Sequence, residues 1–142
     1  MKSITSTIRY RICYADTDQM GVVYYGNYGR LYEIGRSEMV RKMGFPYAEL
    51  EKQGVVMPVY SVNARYRNVI RYDELITIET TIRAIPAARI EFFHRIFNEA
   101  GKLAHEATVV LVFMDMQSQK LVRAPQALLT AIEPYWSEGA EV

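Results

Sequence analysis

The feature that most constrains the fold is one change of hydrophobic period, at Asn27. Before it, apolar residues alternate with polar ones, as on a strand with one buried face: Ile8, Tyr10, Ile12 and Tyr14. After it, they recur every three or four positions, as on an amphipathic helix: Tyr28, Leu31, Tyr32, Gly35, Met39 and Met43. The pattern predicts a helix of about 16 residues that ends at Gly44, with Asn27 as its N-cap.

Beyond Gly54 the period returns to two, and the pattern predicts strands in close succession. Segments 62–67 and 76–83 alternate, and they are followed by ARIEFFHRIF and KLAHEATVVLVFMDM. Short connections favour an antiparallel sheet, and one long helix can lie across it. Segment 109–114 is apolar on both faces, which predicts cover from the helix on one side and a second subunit on the other. The predicted class is α+β, with short helices at 47–53 and 125–132.

Length and composition narrow the class of protein. A chain of 142 residues with no repeat or linker predicts one domain, 1–142, with a core over about 5–132 and a tail, 133–142, that has no clear period. The net charge of +1 gives no reason to expect nucleic acid as a partner. No run of about 18 apolar residues predicts a membrane span, and MKSITSTIRY lacks an apolar signal segment, so we expect a cytoplasmic protein. The single cysteine, Cys13, excludes an intrachain disulfide and has no visible activating partner.

Two acids, Asp16 and Asp18, lie between the first strand and the helix, in YADTDQMGVVYYGNY. A calcium loop does not fit, because Met20 occupies a ligand position and Asn27 stands where the bidentate glutamate belongs. A phosphoryl-accepting D-x-D does not fit either, since no βαβ alternation follows. Taken alone, the acids would be turn formers that bond nearby backbone groups.

Their position ahead of a helix favours a chemical role. A helix N-terminus offers unpaired N–H groups and the positive end of a dipole, which can hold a developing oxyanion. A nearby carboxylate can act as a base or nucleophile on the polarised group. The combination suits acyl transfer.

The segment YADTDQMGVVYYGNYGRLYEIGRSEMVRKMG resembles the start of the hotdog-fold acyl-CoA thioesterases. It looks most like the 4-hydroxybenzoyl-CoA thioesterase family and the related Tol-Pal-associated thioesterases. The positions that match the family pattern in order are Asp16, Asp18, Gly21, Val23, Tyr25, Asn27 and Tyr28. The resemblance extends over about residues 5–130. It implies a curved antiparallel sheet of about five strands wrapped around one central helix.

The resemblance also implies roles for individual residues. The family's catalytic carboxylate falls on Asp18, as nucleophile or general base, and its oxyanion donor falls on the backbone N–H of Tyr25. Tyr14 matches an active-site tyrosine of the Tol-Pal-associated branch, or is a core residue of the first strand. That branch has histidine at position 25, and the benzoyl branch tends to have proline where this chain has Gly26, so the acyl group is not implied. Asp16 is expected to be structural.

Further expectations concern ligands and assembly. Substrate contacts are expected at Gly21, Val22, Val23, Asn27 and Tyr28, with Arg89 near the coenzyme A phosphates. Neither a metal nor a redox cofactor is implied, and coenzyme A enters as part of the substrate. A homodimer, packed as a dimer of dimers, is expected.

The alternatives are a thioesterase that acts on acyl carrier protein, a hotdog module that binds acyl groups without cleaving them, and a hotdog dehydratase. A dehydratase uses a histidine near the central helix. Here His94 and His105 lie in strand patterns, where we expect core or surface residues.

Overall fold

The computed structural model describes all residues, 1–142, as five long strands, one long helix and several short elements. In chain order they are β1 (Lys2–Arg11), α1 (Tyr28–Lys42), α2 (Tyr47–Lys52), β2 (Val55–Val56), β3 (Val59–Tyr66), β4 (Leu75–Ile82), β5 (Arg89–Phe97), β6 (Leu103–Asp115), β7 (Leu121–Val122), α3 (Gln126–Ile132), β8 (Ser137–Glu138) and β9 (Ala140–Glu141). Three 3₁₀ turns complete the chain, at Tyr14–Asp16, Tyr25–Asn27 and Glu133–Tyr135. The α+β class and both predicted short helices are confirmed.

The long strands form one antiparallel sheet in the order β3–β6–β5–β4–β1. Its register aligns the apolar positions of neighbouring strands, so that Ile78 lies between Ile8 of β1 and Ile96 of β5. Because side chains alternate along each strand, this alignment places the apolar residues of β4 on one buried face. That face receives the helix.

Helix α1 packs on the sheet through Leu31, Met39 and Gly35. A Cβ at Gly35 would lie 2.6 Å from the Thr80 hydroxyl and 3.0 Å from a methyl of Ile78, so glycine sets how closely helix and sheet approach. The helix ends with basic residues in its last turn and with Gly44 at φ +81°, as predicted.

The predicted end of the first strand is wrong, and the tail takes a structure that its sequence did not show. The first strand ends at Arg11, so Tyr14 does not continue its inner face; the Asp16 carboxylate accepts the Cys13 N–H and turns the chain there. The tail 133–142 has regular structure: β8 and β9 pair with the outer edge of β1, β9 in parallel, and Trp136 packs against the core. Such short pairs carry too few residues to show a period in sequence.

Strand β3 is the exposed edge of the sheet. Seven of its eight residues are exposed, including Val59, Tyr60, Val62 and Tyr66. The two-sided apolar segment 109–114, by contrast, is already covered within one chain, since Val109 is 1% and Val110 8% exposed. Exposed apolar side chains are therefore concentrated on β3 rather than on that segment.

Candidate active site

The acidic segment forms a tight turn that is fixed by backbone hydrogen bonds. Asp18 N–H donates to Val22 O (2.9 Å), and Gly21 N–H donates to Asp18 O (3.0 Å). Gly21 has φ +76°, which a residue with a side chain rarely adopts. The Asp18 side chain accepts Met20 N–H on Oδ1 (2.8 Å), whereas no group of the chain donates to its Oδ2. Asp18 is half-buried, so one carboxylate oxygen stays free to react.

The start of the helix presents the unpaired donor. Tyr25 opens the 3₁₀ turn that leads into α1, and its backbone N–H donates to no acceptor in the chain. The carbonyl of the same peptide group, Tyr24 O, accepts Asn27 N–H (2.9 Å), which polarises the Tyr25 N–H. The pKa of the Tyr24 phenol is raised by the neighbouring Tyr25 and also by the Asp18 charge.

Asp16 connects the acidic turn to the helix. It is 1% exposed, and its Oδ2 accepts Cys13 N–H (2.9 Å) and Tyr10 O–H (2.8 Å), while Arg30 pairs with Oδ1. Burial alone would raise the pKa of Asp16, but the Cys13 N–H and the Arg30 guanidinium hold it below the usual value. The predicted structural role of Asp16 is supported by these bonds.

Asn27 makes a different contact from the predicted one. Its side chain forms no N-cap hydrogen bond and instead donates to the Asp16 carbonyl (2.9 Å). Together with the Arg30–Asp16 pair, this bond fixes the helix start against the acidic turn. We call Asp16, Asn27 and Arg30 the clamp.

A cleft of about 190 Å³ opens beside Tyr25. It is lined by Val23, Tyr25, Tyr28, Tyr66, Arg67, Asn68 and Val69. The Tyr66 hydroxyl lies 3.5 Å from the Tyr25 carbonyl, and the Tyr28 ring stacks on His105 at 4.0 Å. The cleft offers mostly apolar walls beside a free N–H group.

The chain was compared with known proteins. Residues 14–132 match the family model described as the thioesterase-like superfamily. The chain belongs to this superfamily.

Proteins similar to this chain are named as thioesterases or thioester hydrolases. The chain is 32% identical over 119 residues to an acyl-CoA thioester hydrolase, YbgC, of Escherichia coli O157:H7, covering 84% of this chain and 89% of that protein. A DHNA-CoA thioesterase from Staphylococcus aureus superimposes with a TM-score of 0.86 at 33% identity, over 92% of this chain and 90% of that one. A mutant 4-hydroxybenzoyl-CoA thioesterase, solved with 4-hydroxybenzoyl-CoA, superimposes with a TM-score of 0.78 at 25% identity, over 89% and 97%.

These likenesses confirm the hotdog fold and the enzyme class predicted from the sequence, a hydrolase of acyl-CoA thioesters. No helix of this thioesterase has both the length and the apolar character needed to cross a bilayer. No three His, Cys, Asp or Glu side chains come close enough to hold a metal ion.

The predicted substrate-contact residues fall in different places. Val23 and Tyr28 line the cleft, and Val22 bridges to Arg71 just before it. Gly21 shapes the turn, and the Asn27 side chain is engaged in the clamp. In this thioesterase, Val23 and Tyr28 are the members of the set that border open space beside Tyr25.

Neither Tyr14 nor Arg89 lines the cleft. Tyr14 is 77% exposed and stacks on Tyr72 with ring centroids 4.2 Å apart, so the core alternative is wrong. Arg89 begins β5 opposite Val112, whereas the cleft adjoins His105; seven residues of β6 separate these two levels, or about 23 Å. Within one chain, Arg89 is not brought to Tyr25.

The structure decides between the two expected positions of the histidines, core and surface. His94 and His105 are both fully buried beneath α1, His94 against the Thr80 hydroxyl (3.1 Å) and His105 against Tyr32. Burial lowers the pKa of His94 to about 3 and that of His105 to about 4, so both rings are neutral at pH 7. The only signal in the sequence was that both histidines lie in segments with a period of two. That period could not show which face of the sheet the helix covers.

Proposed function

We propose that this thioesterase cleaves an acyl-CoA thioester with Asp18 as the reacting carboxylate and the Tyr25 N–H as the oxyanion donor. The observation that carries the proposal is the pairing of a free carboxylate oxygen with an unpaired N–H, on two segments that the clamp joins. When the thioester carbonyl becomes tetrahedral, its oxygen gains negative charge, which the N–H stabilises.

Two routes lead from this arrangement to products. In the first, Asp18 attacks the carbonyl carbon and coenzyme A leaves as a thiolate. Water then hydrolyses the mixed anhydride, which restores the Asp18 carboxylate and releases the proton that the thiolate takes up. In the second, Asp18 takes a proton from water, the resulting hydroxide attacks, and the proton passes to the departing sulfur. Both give a free acid and coenzyme A. Tyr14, being exposed, would contact the substrate from outside the cleft.

The proposed assembly is a homodimer, further packed as a dimer of dimers, that acts in the cytoplasm. Strand β3 supports the dimer, because its exposed edge and apolar side chains suit pairing with a second copy. A two-fold axis makes such a pair antiparallel. Light scattering should give a multiple of the 16.4 kDa chain mass, and a lysine at Val62 should lower it. A monomeric wild type would contradict the assembly. In a dimer, Arg89 of one copy can lie near the substrate phosphates of the other.

The function is tested by thiol release from a panel of short-chain, long-chain and aromatic acyl-CoAs. We expect wild type to release coenzyme A from at least one class, and Asp18→Asn to lose most of that activity while keeping its circular dichroism spectrum. If the acyl group were cleaved only from acyl carrier protein, that protein would replace coenzyme A as the proposed carrier. Binding without release from either carrier would favour an acyl-binding module and overturn the proposal.

A further inference from the structure

His105 lies at the centre of four rings beneath the start of α1. On β6 it is paired with Tyr66 of the neighbouring strand β3, and its ring stacks on Tyr28 and Tyr32 of the helix. Tyr28 and Tyr32 stand four residues apart on α1, so both rings leave the same face of the helix. We call Tyr28, Tyr32, Tyr66 and His105 the ring cluster. The proposed cleavage step assigns no role to Tyr32 or His105.

His105 contacts every other ring of the cluster. Its ring lies 4.0 Å from that of Tyr28 and 5.6 Å from that of Tyr32, between centroids, and it meets Tyr66 at 4.7 Å with the planes 89° apart. Tyr28 and Tyr66 also meet each other edge to face, at 5.2 Å. Aromatic pairs prefer particular relative planes, so the plane of His105 limits those of Tyr28 and Tyr66. Because His105 is fully buried, its own side chain does not touch a substrate.

Tyr28 and Tyr66 connect the ring cluster to the proposed oxyanion donor. Both rings line the cleft beside Tyr25. The Tyr66 hydroxyl lies 3.5 Å from the Tyr25 carbonyl oxygen, and Tyr28 directly follows the 3₁₀ turn that Tyr25 opens. A rotation of either ring would therefore displace the turn and, with it, the Tyr25 N–H. A shift of about 1 Å in a group that acts on the transition state can cost about 10²-fold in rate.

The orientation of the His105 ring is fixed by a hydrogen bond between Nε2 and the Tyr32 hydroxyl. Burial lowers the pKa of His105 to about 4 and raises the pKa of Tyr32, so both groups are neutral at pH 7. The hydroxyl donates to Nε2, because the reverse assignment would leave both the phenol hydrogen and Nδ1 without a partner. Stacking alone would let the imidazole turn within its plane. The bond to Tyr32 prevents this, and so decides which edge of the imidazole meets Tyr66.

We infer that His105 and Tyr32 are positioning residues for the reaction: Tyr32 orients the imidazole, and the imidazole sets the two cleft rings that hold the Tyr25 N–H in place. The inference rests on the proposed function. It predicts that loss of the Tyr32 hydroxyl lowers kcat and leaves KM nearly unchanged, since an oxyanion donor acts on the transition state and not on the bound substrate.

Tyr32→Phe is the direct test, because it keeps the ring and removes only the hydroxyl. We expect kcat for thiol release to fall about 5- to 10-fold, with KM within about 2-fold of wild type. Thr80→Val is the matched control. It breaks the other buried hydroxyl–imidazole bond beneath α1, between Thr80 and His94 (3.1 Å). The His94 ring stacks on no ring that lines the cleft, so this control should keep the wild-type kcat.

A double variant, Tyr32→Phe with His105→Phe, separates positioning from stability. The single change leaves His105 Nε2 buried without a partner, and it should lower the midpoint of thermal unfolding. The double change removes both polar groups and keeps a ring at each position, so the midpoint should recover. We expect kcat to stay low, because no hydrogen bond orients the second ring.

Three kinetic results would overturn the inference. The first is an unchanged kcat in folded Tyr32→Phe, with or without a rise in KM. The second is a loss of kcat in Thr80→Val as large as that in Tyr32→Phe. The third is a double variant in which kcat recovers together with the unfolding midpoint, since a merely structural role would restore both.

The position of the Tyr25 N–H is also measured without turnover, from its resonance in ¹⁵N–¹H spectra of the free protein. Tyr32→Phe should shift this resonance, and Thr80→Val should leave it in place. An unmoved resonance in Tyr32→Phe would overturn the inference. A shifted resonance in a protein that releases no thiol from any acyl-CoA would support the positioning and count against the proposed function alone.

Discussion

At the first turns of α1, the buried carboxylate of Asp16 is surrounded by donors from Tyr10, Cys13 and Arg30. Further along the helix, Arg36 Nε and the Tyr47 hydroxyl are buried without a hydrogen-bond partner of good geometry. The buried carboxylate at the start of the helix is therefore fully paired, whereas buried donors further along it are not. The difference fits the proposed function, since groups that hold a reacting carboxylate in place need rigidity.

The largest expected effect is on stability at low pH. It comes from His94 and His105, which are buried beneath the same helix with one unpaired nitrogen each. The folded chain keeps both rings neutral, with pKa values of about 3 and 4, while the unfolded chain takes up protons near pH 6.5. The contribution of the neutral rings to the free energy of unfolding should therefore be fully present above pH 6.5. It should fall below that pH, by roughly 2 kcal/mol per histidine at pH 5. Urea unfolding at pH 7 and pH 5 measures this, and His105→Gln should reduce the fall by about half. An unchanged stability at pH 5 would contradict the burial of neutral rings.

Asp16→Asn tests the hydrogen bonds and the ion pair at the start of the helix. The change removes the charge that Arg30 and the Cys13 N–H bind, and we expect a loss of about 3 kcal/mol, less than for a fully buried pair because Arg30 is half-exposed. Turnover should also fall at least 10-fold, since the clamp sets the position of Asp18 relative to Tyr25. Denaturant unfolding and thiol release are the two measurements. Full activity in a destabilised variant would show that the clamp serves stability alone.

Gly35→Ala tests the close contact between α1 and the sheet. The new methyl group would meet the Thr80 hydroxyl at 2.6 Å, so helix and sheet must move apart or Thr80 must leave His94. We expect a loss of about 1–3 kcal/mol, although alanine favours a helix more than glycine does. Gly29→Ala, at a helical position with open space, should instead be neutral or stabilising. Equal outcomes at the two glycines would contradict the packing.

The smallest effect is expected at an exposed pair on the same helix. Arg41 and Glu38 form an ion pair in solvent, three residues apart. Arg41→Ala should change the free energy of unfolding by less than about 0.5 kcal/mol. A loss comparable to that of Asp16→Asn would mean that burial does not decide which ion pair matters.

Much of this architecture could be predicted from the sequence, because the period of apolar residues reports local geometry. The helix, the long strands and the acidic turn ahead of the helix follow from that pattern and from the resemblance at Asp16 to Tyr28. Asn27 is at the N-cap position as predicted, but its side chain bonds Asp16, eleven residues away, and that contact could not be read from its residue type.

The remainder depends on tertiary contacts. Strand order and helix placement decide which strand is the exposed edge and which side chains face the helix. They make β3 the edge, turn His94 and His105 toward α1, and bring Arg36 next to Tyr47. No local period encodes them. The tail strands β8 and β9 are too short to show one.

The measurement that tests the central claim most directly is the turnover of Asp18→Asn beside that of Asp73→Asn, on the substrate that wild type cleaves fastest. Asp73 is an exposed turn residue with φ 70°, a conformation that asparagine tolerates, so this control makes the same chemical change outside the site. We predict that Asp18→Asn loses at least 10²-fold in kcat with unchanged folding, while Asp73→Asn keeps wild-type turnover. Wild-type turnover by folded Asp18→Asn would contradict the assignment of the reacting carboxylate.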